Sequence, residues 1–169
     1  MLAAPQSPVV GLRGEYPQLP VVGVGALVLR DGKVLLGRRA SPPSAGMWAI
    51  PGGKVELGEG VLEAAARELE EETGLACRPL GVVNVDNLIV KDPSGKIRFH
   101  YVLITVLMGD CSGEPAPSSD VLEIGFFDVA EASERPDVAP STRGFLKKLA
   151  SGLVPISSPI PVLTTVEAS

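Results

Sequence analysis

The chain has 169 residues, 45% of them hydrophobic, with a formal net charge of −5 at pH 7. That length and apolar share suit one globular domain with a real core, and the acidic balance argues against a general surface for binding nucleic-acid polymers. The longest apolar run, Val21 to Leu29, is far too short to cross a bilayer.

In chain order, residues 1–20 carry four prolines and no periodicity, which predicts an extended arm ahead of a domain over 21–151. A proline-punctuated tail follows over 152–169. With no basic region followed by an apolar core at the start, a cytoplasmic protein without a membrane partner is expected. Val21 to Leu29, then Asp31-Gly32, then Lys33 to Arg39 reads as strand, turn, strand. Gly23 and Gly25 lack the third glycine of a dinucleotide fingerprint and precede a hairpin, so they are read as letting a neighbour approach closely. Arg38 and Arg39 end the second strand. Successive strand residues face opposite sides, so only one of them can point at a common site. Trp48 is open to two readings, packing, which is favoured, and substrate stacking.

The segment from Gly60 to Thr73 has no proline and no internal glycine, and Gly74 follows where a helix terminator belongs. Apolar Leu62, Ala65, Ala66 and Leu69 predict one buried stripe. At about 100° per residue, Glu68, Glu71 and Glu72 share one arc beside that stripe and Glu70 points away. A bare run of this kind is more often a solvated face. Two flanking features argue otherwise: Pro51-Gly52-Gly53 gives a backbone that a ligand can approach, and Arg67 is in reach of Glu63 and Glu71 and of Glu59. Converging carboxylates call for neutralisation, and hard divalent ions such as Mg²⁺ or Mn²⁺ supply it through oxygen ligands.

Gly53, five residues, Glu59, seven residues, then Arg67-Glu68-Leu69-Glu70-Glu71-Glu72-Thr73-Gly74-Leu75 resembles the Nudix box at every fixed position. The resemblance implies an α/β Nudix fold, a mixed β-sheet sandwiched between α-helices. It implies hydrolysis of nucleoside diphosphates linked to another group X with two or three Mg²⁺ or Mn²⁺ ions. It also implies Glu68, Glu71, Glu72 and the Gly52 carbonyl as metal ligands, Gly53 and Arg39 (with Arg38 as its rival) at the substrate, and Glu59 with Arg67 as a structural ion pair. Glu71 is the first choice for the base and Glu123 the second. The family's frequent dimerisation leaves a homodimer open.

Beyond the box, Cys77 to Asn84 and Leu88 to Lys91 read as extended segments interrupted around Asp86-Asn87, and Asp92 to Gly95 as a turn. Ile97 to Met108 reads as a long strand, with His100 as a structural residue inside it. Cys77 and Cys111, too few for a disulfide scaffold, are read as reduced. Gly109 to Ser119 is a loop leading to a strand through Phe126-Phe127; the resemblance implies a carboxylate from this region at the metal site, for which Glu123, in the family's slot, Asp120 and Glu114 compete. Ser141 is taken as the cap of a last helix to Leu149. The segments around Tyr16 to Ala26 and Arg98 to Ile104 resemble the ADP-ribose pyrophosphatase-like branch, which makes ADP-ribose, cleaved to AMP and ribose 5-phosphate, the leading substrate. The alternatives are a house-cleaning triphosphatase and a non-catalytic nucleotide-binding module. The intact glutamates argue against the module.

Overall fold

The structure, a computed structural model, describes residues 14–169. The first thirteen residues of the expected arm lie outside that range. Among the described residues two four-stranded sheets carry the fold. The first contains β1 (Val21–Leu27), β5 (Gly52–Lys54), β6 (Ala76–Lys91) and β7 (Ile97–Ser112), in the order β5-β1-β7-β6. It is mixed: β1 runs parallel to β7, and the other pairs are antiparallel. In the second sheet β3 (Lys33–Arg39) pairs with β2 (Leu29–Arg30), β4 (Trp48–Ala49) and β8 (Val121–Asp128), all antiparallel.

The hairpin turn falls where its chemistry puts it. Asp31 and Gly32 take φ of 51° and 74°, the left-handed pair that a two-residue turn between twisted strands requires. Helix α1 (Val61–Thr73) also ends as its sequence dictates, on Gly74 at φ 74°, whose N–H donates to the Glu70 carbonyl.

Strand alternation sorts the apolar side chains into two cores. Val24, Ala26, Leu35, Val82 and Val106 pack against Ala64, Ala65 and Leu69 of α1. Leu27, Val34, Leu36, Val83 and Leu107 pack on the other side against Phe145 and Leu146 of α3 (Pro140–Ala150). Helices therefore cover both faces of the sheets. Trp48 serves packing, edge-on to Phe127 with ring centroids 4.8 Å apart.

Four expectations are corrected. Strand β6 is unbroken, because Asp86 and Asn87 both find partners on β7, Leu103 and Val102, and pairing overrides their weak strand preference. Strand β7 runs on through Gly109 to Ser112 rather than giving way to a loop. At that end of the ladder Cys77 and Cys111 are joined in a disulfide with Cα atoms 4.0 Å apart, not reduced. Their separation of 34 residues in sequence conceals a contact that only strand register creates. Finally, α3 starts on Pro140 after Ala139, without a Ser141 cap, since proline already presets the first helical turn. A short helix α2 (Val129–Glu134) was not expected; the Asp128 side chain caps it by accepting the Glu131 N–H.

The tail over 152–169 packs only in part. Val154 is buried, and Ile160 bridges to Val82 on β6, while Leu163 and Val166 are almost fully exposed. Among the described residues no helix is long and apolar enough to cross a membrane.

Candidate active site

The expected three-carboxylate cluster divides in the structure. Glu68 and Glu72 turn inward from α1 and line a recess with Gly37, Arg39, Ser41, the stretch Ala49 to Gly53, Asp120 and Val121. Glu71 points outward with 60% of its side chain exposed, held at 3.2 Å by Arg67 Nη1. The cause is the guanidinium one turn earlier, which draws the i+4 carboxylate toward itself. Among the described residues no group of three or more acidic, histidine or cysteine side chains is already arranged to hold a metal ion.

Glu72 and Gly52 meet directly: the Gly52 N–H donates to Glu72 Oε2 at 3.0 Å. Burial nonetheless pushes the Glu72 carboxyl up to about 7, with help from the charges of Glu68 and Asp120, against the pull of the Gly52 N–H and Arg39. Glu68 is also raised, because its burial outweighs the hydrogen bond from Arg67. The Glu68 carboxyl lies against Gly53, so closely that a Cβ there would land on it.

Arg67 fastens the preceding loop to the helix. Its Nε and Nη2 grip Glu59 at 2.6 and 3.0 Å, Nη1 reaches Glu68 at 3.0 Å, and Nη2 also donates to the Lys54 carbonyl at 3.1 Å. That fork holds the Glu59 carboxyl below its ordinary value and lifts the guanidinium's own further. Arg67→Met strands Glu59, whose side chain is only 15% exposed. We expect a loss of roughly 2–3 kcal/mol and a fall in Tm of about 5–10 °C, read by thermal melting.

The strand arginines part company. Arg39 lines the recess, its Nε donating to the Pro43 carbonyl at 2.9 Å. Arg38 faces out and pairs with Glu123 at 2.8 Å. Glu123, the second choice for the base, is thereby turned away from the recess, and Glu114 does not line it. Asp120 is the loop carboxylate that does. Two backbone contacts fix it there: Ala116 N–H donates to Thr73 O at the helix end, and Ala40 N–H to Asp120 O.

A second cavity, of about 220 Å³, shares the wall Arg39, Ala49, Ile50, Gly52 and Gly53 with the recess. It is largely apolar, with Leu88, Leu103, Tyr101 and Phe145 in its lining. Gly23 and Gly25 form part of it, and this is what they do in β1. A Cβ at Gly23 would stand 3.0 Å from Leu103 and one at Gly25 3.4 Å from Ile50, so side chains there would fill the cavity from below. Sequence reading placed these glycines in close packing and missed the hollow, because it depends on which strands lie beside β1.

The NUDIX domain profile matches residues 19–149. The chain belongs to the Nudix family. Its sequence is similar to an ADP-ribose pyrophosphatase of Methanocaldococcus jannaschii, 37% identical over 65% of this chain and 63% of that protein. It is equally similar, at 37%, to a protein of Mycobacterium tuberculosis named putative 8-oxo-dGTP diphosphatase 2, over 79% of this chain and 89% of that one. Its fold resembles the crystal structure of a MutT NUDIX hydrolase from Burkholderia pseudomallei, with a TM-score of 0.68 and 33% identity over 78% of this chain and 99% of that one. The chain thus spans less than two thirds of the archaeal relative's length. In this Nudix protein the start of the box, at Gly53, borders both hollows, while Glu68 and Glu72 of the box helix line the acidic recess alone.

Proposed function

We propose that this protein is a pyrophosphohydrolase that cleaves the diphosphate bond of a small nucleoside diphosphate linked to X. ADP-ribose is the first substrate, with AMP and ribose 5-phosphate as products. The carrying observation is the wall shared by an apolar cavity and a carboxylate-lined recess. A nucleoside occupies the first, and the diphosphate crosses the Gly52-Gly53 backbone beside Arg39 into the second.

Divalent ions suit the donor set. Glu68, Glu72 and the Gly52 carbonyl are hard oxygen donors, and carboxyls raised by burial mark a site short of positive charge. Glu71 would join from the rim once released from Arg67. When bound, such ions, two or three of them, neutralise the phosphates and acidify a water. Arg39 binds the phosphates, the glycine backbone lets them approach, and the apolar cavity keeps the nucleoside out of water. Asp120, across the recess from the helix, takes the proton of the attacking water, in place of Glu71 and Glu123.

An oxidised purine nucleoside triphosphate is the second reading, favoured by the extent of the mycobacterial alignment. The test is hydrolysis of ADP-ribose and 8-oxo-dGTP with products identified, before and after chelation. Turnover should vanish with EDTA and return with Mg²⁺ or Mn²⁺. Full activity after rigorous chelation, or no hydrolysis of either compound, overturns the reading. Asp120→Asn should lower kcat about 10²-fold and Glu123→Gln by less than threefold; the reverse order would return the base to Glu123.

A further inference from the structure

Among the described residues, Asp86 is the only acidic one lining the apolar cavity. We propose that it reads the base, accepting a hydrogen bond from an exocyclic amine of the nucleoside, with Lys148 and Asn84 as the residues that position it. The inference deepens the pyrophosphohydrolase reading, since it assigns the base end of the same cavity.

Strand register places Asp86. Lys54 on β5 pairs with Gly23 on β1, Gly23 with Leu103 on β7, and Leu103 with Asp86 on β6. Directly paired residues project to the same face, so these four form one row across the cavity floor. Glycine at the second place leaves the row open in its middle. Three strand spacings, about 14 Å, separate Asp86 from the edge strand that borders the acidic recess. A nucleoside with its phosphates at Gly52 and Arg39 therefore has its base directed along this row toward β6.

The carboxylate is held from both sides. Lys148 Nζ, from α3, donates to Asp86 Oδ1 at 2.7 Å and to Asn84 Oδ1 at 2.7 Å. Asn84 Nδ2 donates to Asp86 Oδ2, also at 2.7 Å. Each oxygen has one lone-pair site engaged and another free, which leaves an oriented group that can only accept. Such a group pairs with the amine of adenine or guanine and repels a keto oxygen in the same place. Leu88, Leu103, Tyr101 and Phe145 in the lining are uncharged, and the cavity's cations, Arg39 and Lys54, are contributed by β3 and β5 rather than β6. A plain surface ion pair would have no preference between bases, and that difference is measurable.

The experiment uses AMP, GMP and IMP, binding to the full chain with Mg²⁺ present, measured by calorimetry. IMP lacks the 2-amine of GMP and carries oxygen in place of the 6-amine of AMP. At least one of AMP and GMP should bind about 10–100-fold more tightly than IMP. In Asp86→Ala that ratio should fall to within about threefold of one, and in Lys148→Met it should fall part of the way. Asp86→Asn preserves shape and should also flatten the ratio, so it stands in where Asp86→Ala melts early. A wild-type protein that binds IMP within twofold of both others overturns the inference, as does an unchanged ratio in a folded Asp86 variant. The readout needs no turnover. A protein that hydrolyses neither ADP-ribose nor 8-oxo-dGTP yet discriminates against IMP refutes the reaction and upholds the role of Asp86.

Discussion

Glu72→Gln should abolish most of the turnover and at the same time make the metal-free protein more stable. In the fold the Glu72 carboxyl titrates near 7, against an ordinary value of 4.5. Its folded value is the higher one. Between those two pH values the folded state therefore keeps a proton that the unfolded chain has released, and stability falls as pH rises through that window. Above pH 7 the full cost is present, about 3 kcal/mol at most. Glutamine has nothing to ionise and can still accept the Gly52 N–H. At pH 8 without metal, thermal melting should place the variant about 4–8 °C above the wild type, and the two should converge near pH 4.5. Adding Mg²⁺ should raise the wild-type Tm and leave the variant almost unmoved, because a cation rewards only the ionised side chain. kcat should fall about 10²–10⁴-fold. A variant melting below the wild type at pH 8 would show that the buried charge is already compensated within the protein.

The second large effect separates two adjacent glycines. At Gly52 a Cβ would overlap the Val24 carbonyl oxygen and stand 2.9 Å from Gly25 Cα, so only backbone could yield. Gly52→Ala should force β5 away from β1 and cost more than about 4 kcal/mol, or prevent folding. At Gly53 the obstacle is the movable Glu68 carboxyl. Gly53→Ala should fold with a modest loss in Tm and lose about 10²-fold or more in kcat, because the displaced carboxyl no longer serves the recess. Circular dichroism and turnover measured side by side distinguish the two. Equal, mild effects would mean that the β1–β5 contact is looser than its register implies.

What the sequence made legible was local. Asp31-Gly32 and Gly74 each fix a backbone conformation with their own chemistry, so the hairpin and the end of α1 could be read directly. The box spacing likewise carried the contact of Arg67 with Glu59. What stayed hidden depended on residues far apart in the chain. Helical angles put Glu71 beside Glu68 and Glu72, but Arg67 holds it outside the recess. Spacing left Glu114, Asp120 and Glu123 as rivals and the family resemblance put Glu123 ahead, whereas an outward-facing Arg38 takes Glu123, and Asp120 lines the recess on a loop tied to the end of α1. The Cys77–Cys111 bond and the place of Asp86 both follow from the β6–β7 register, which no window of sequence displays.

The bridge between Ile160 and Val82 has a consequence for how the protein behaves in a crowded solution. Strand β6 is the outermost of its sheet and sixteen residues long, and a bare edge of that length is a template on which other chains can add and aggregate. Ile160 and Val82 exchange both of their backbone hydrogen bonds, and a few residues away Pro79 and Gly81, at φ 151°, interrupt the regular ladder. An incoming strand thus meets an occupied and irregular stretch in the first half of β6. The pairing of Ile160 with Val82 leaves less of that edge open to an added strand.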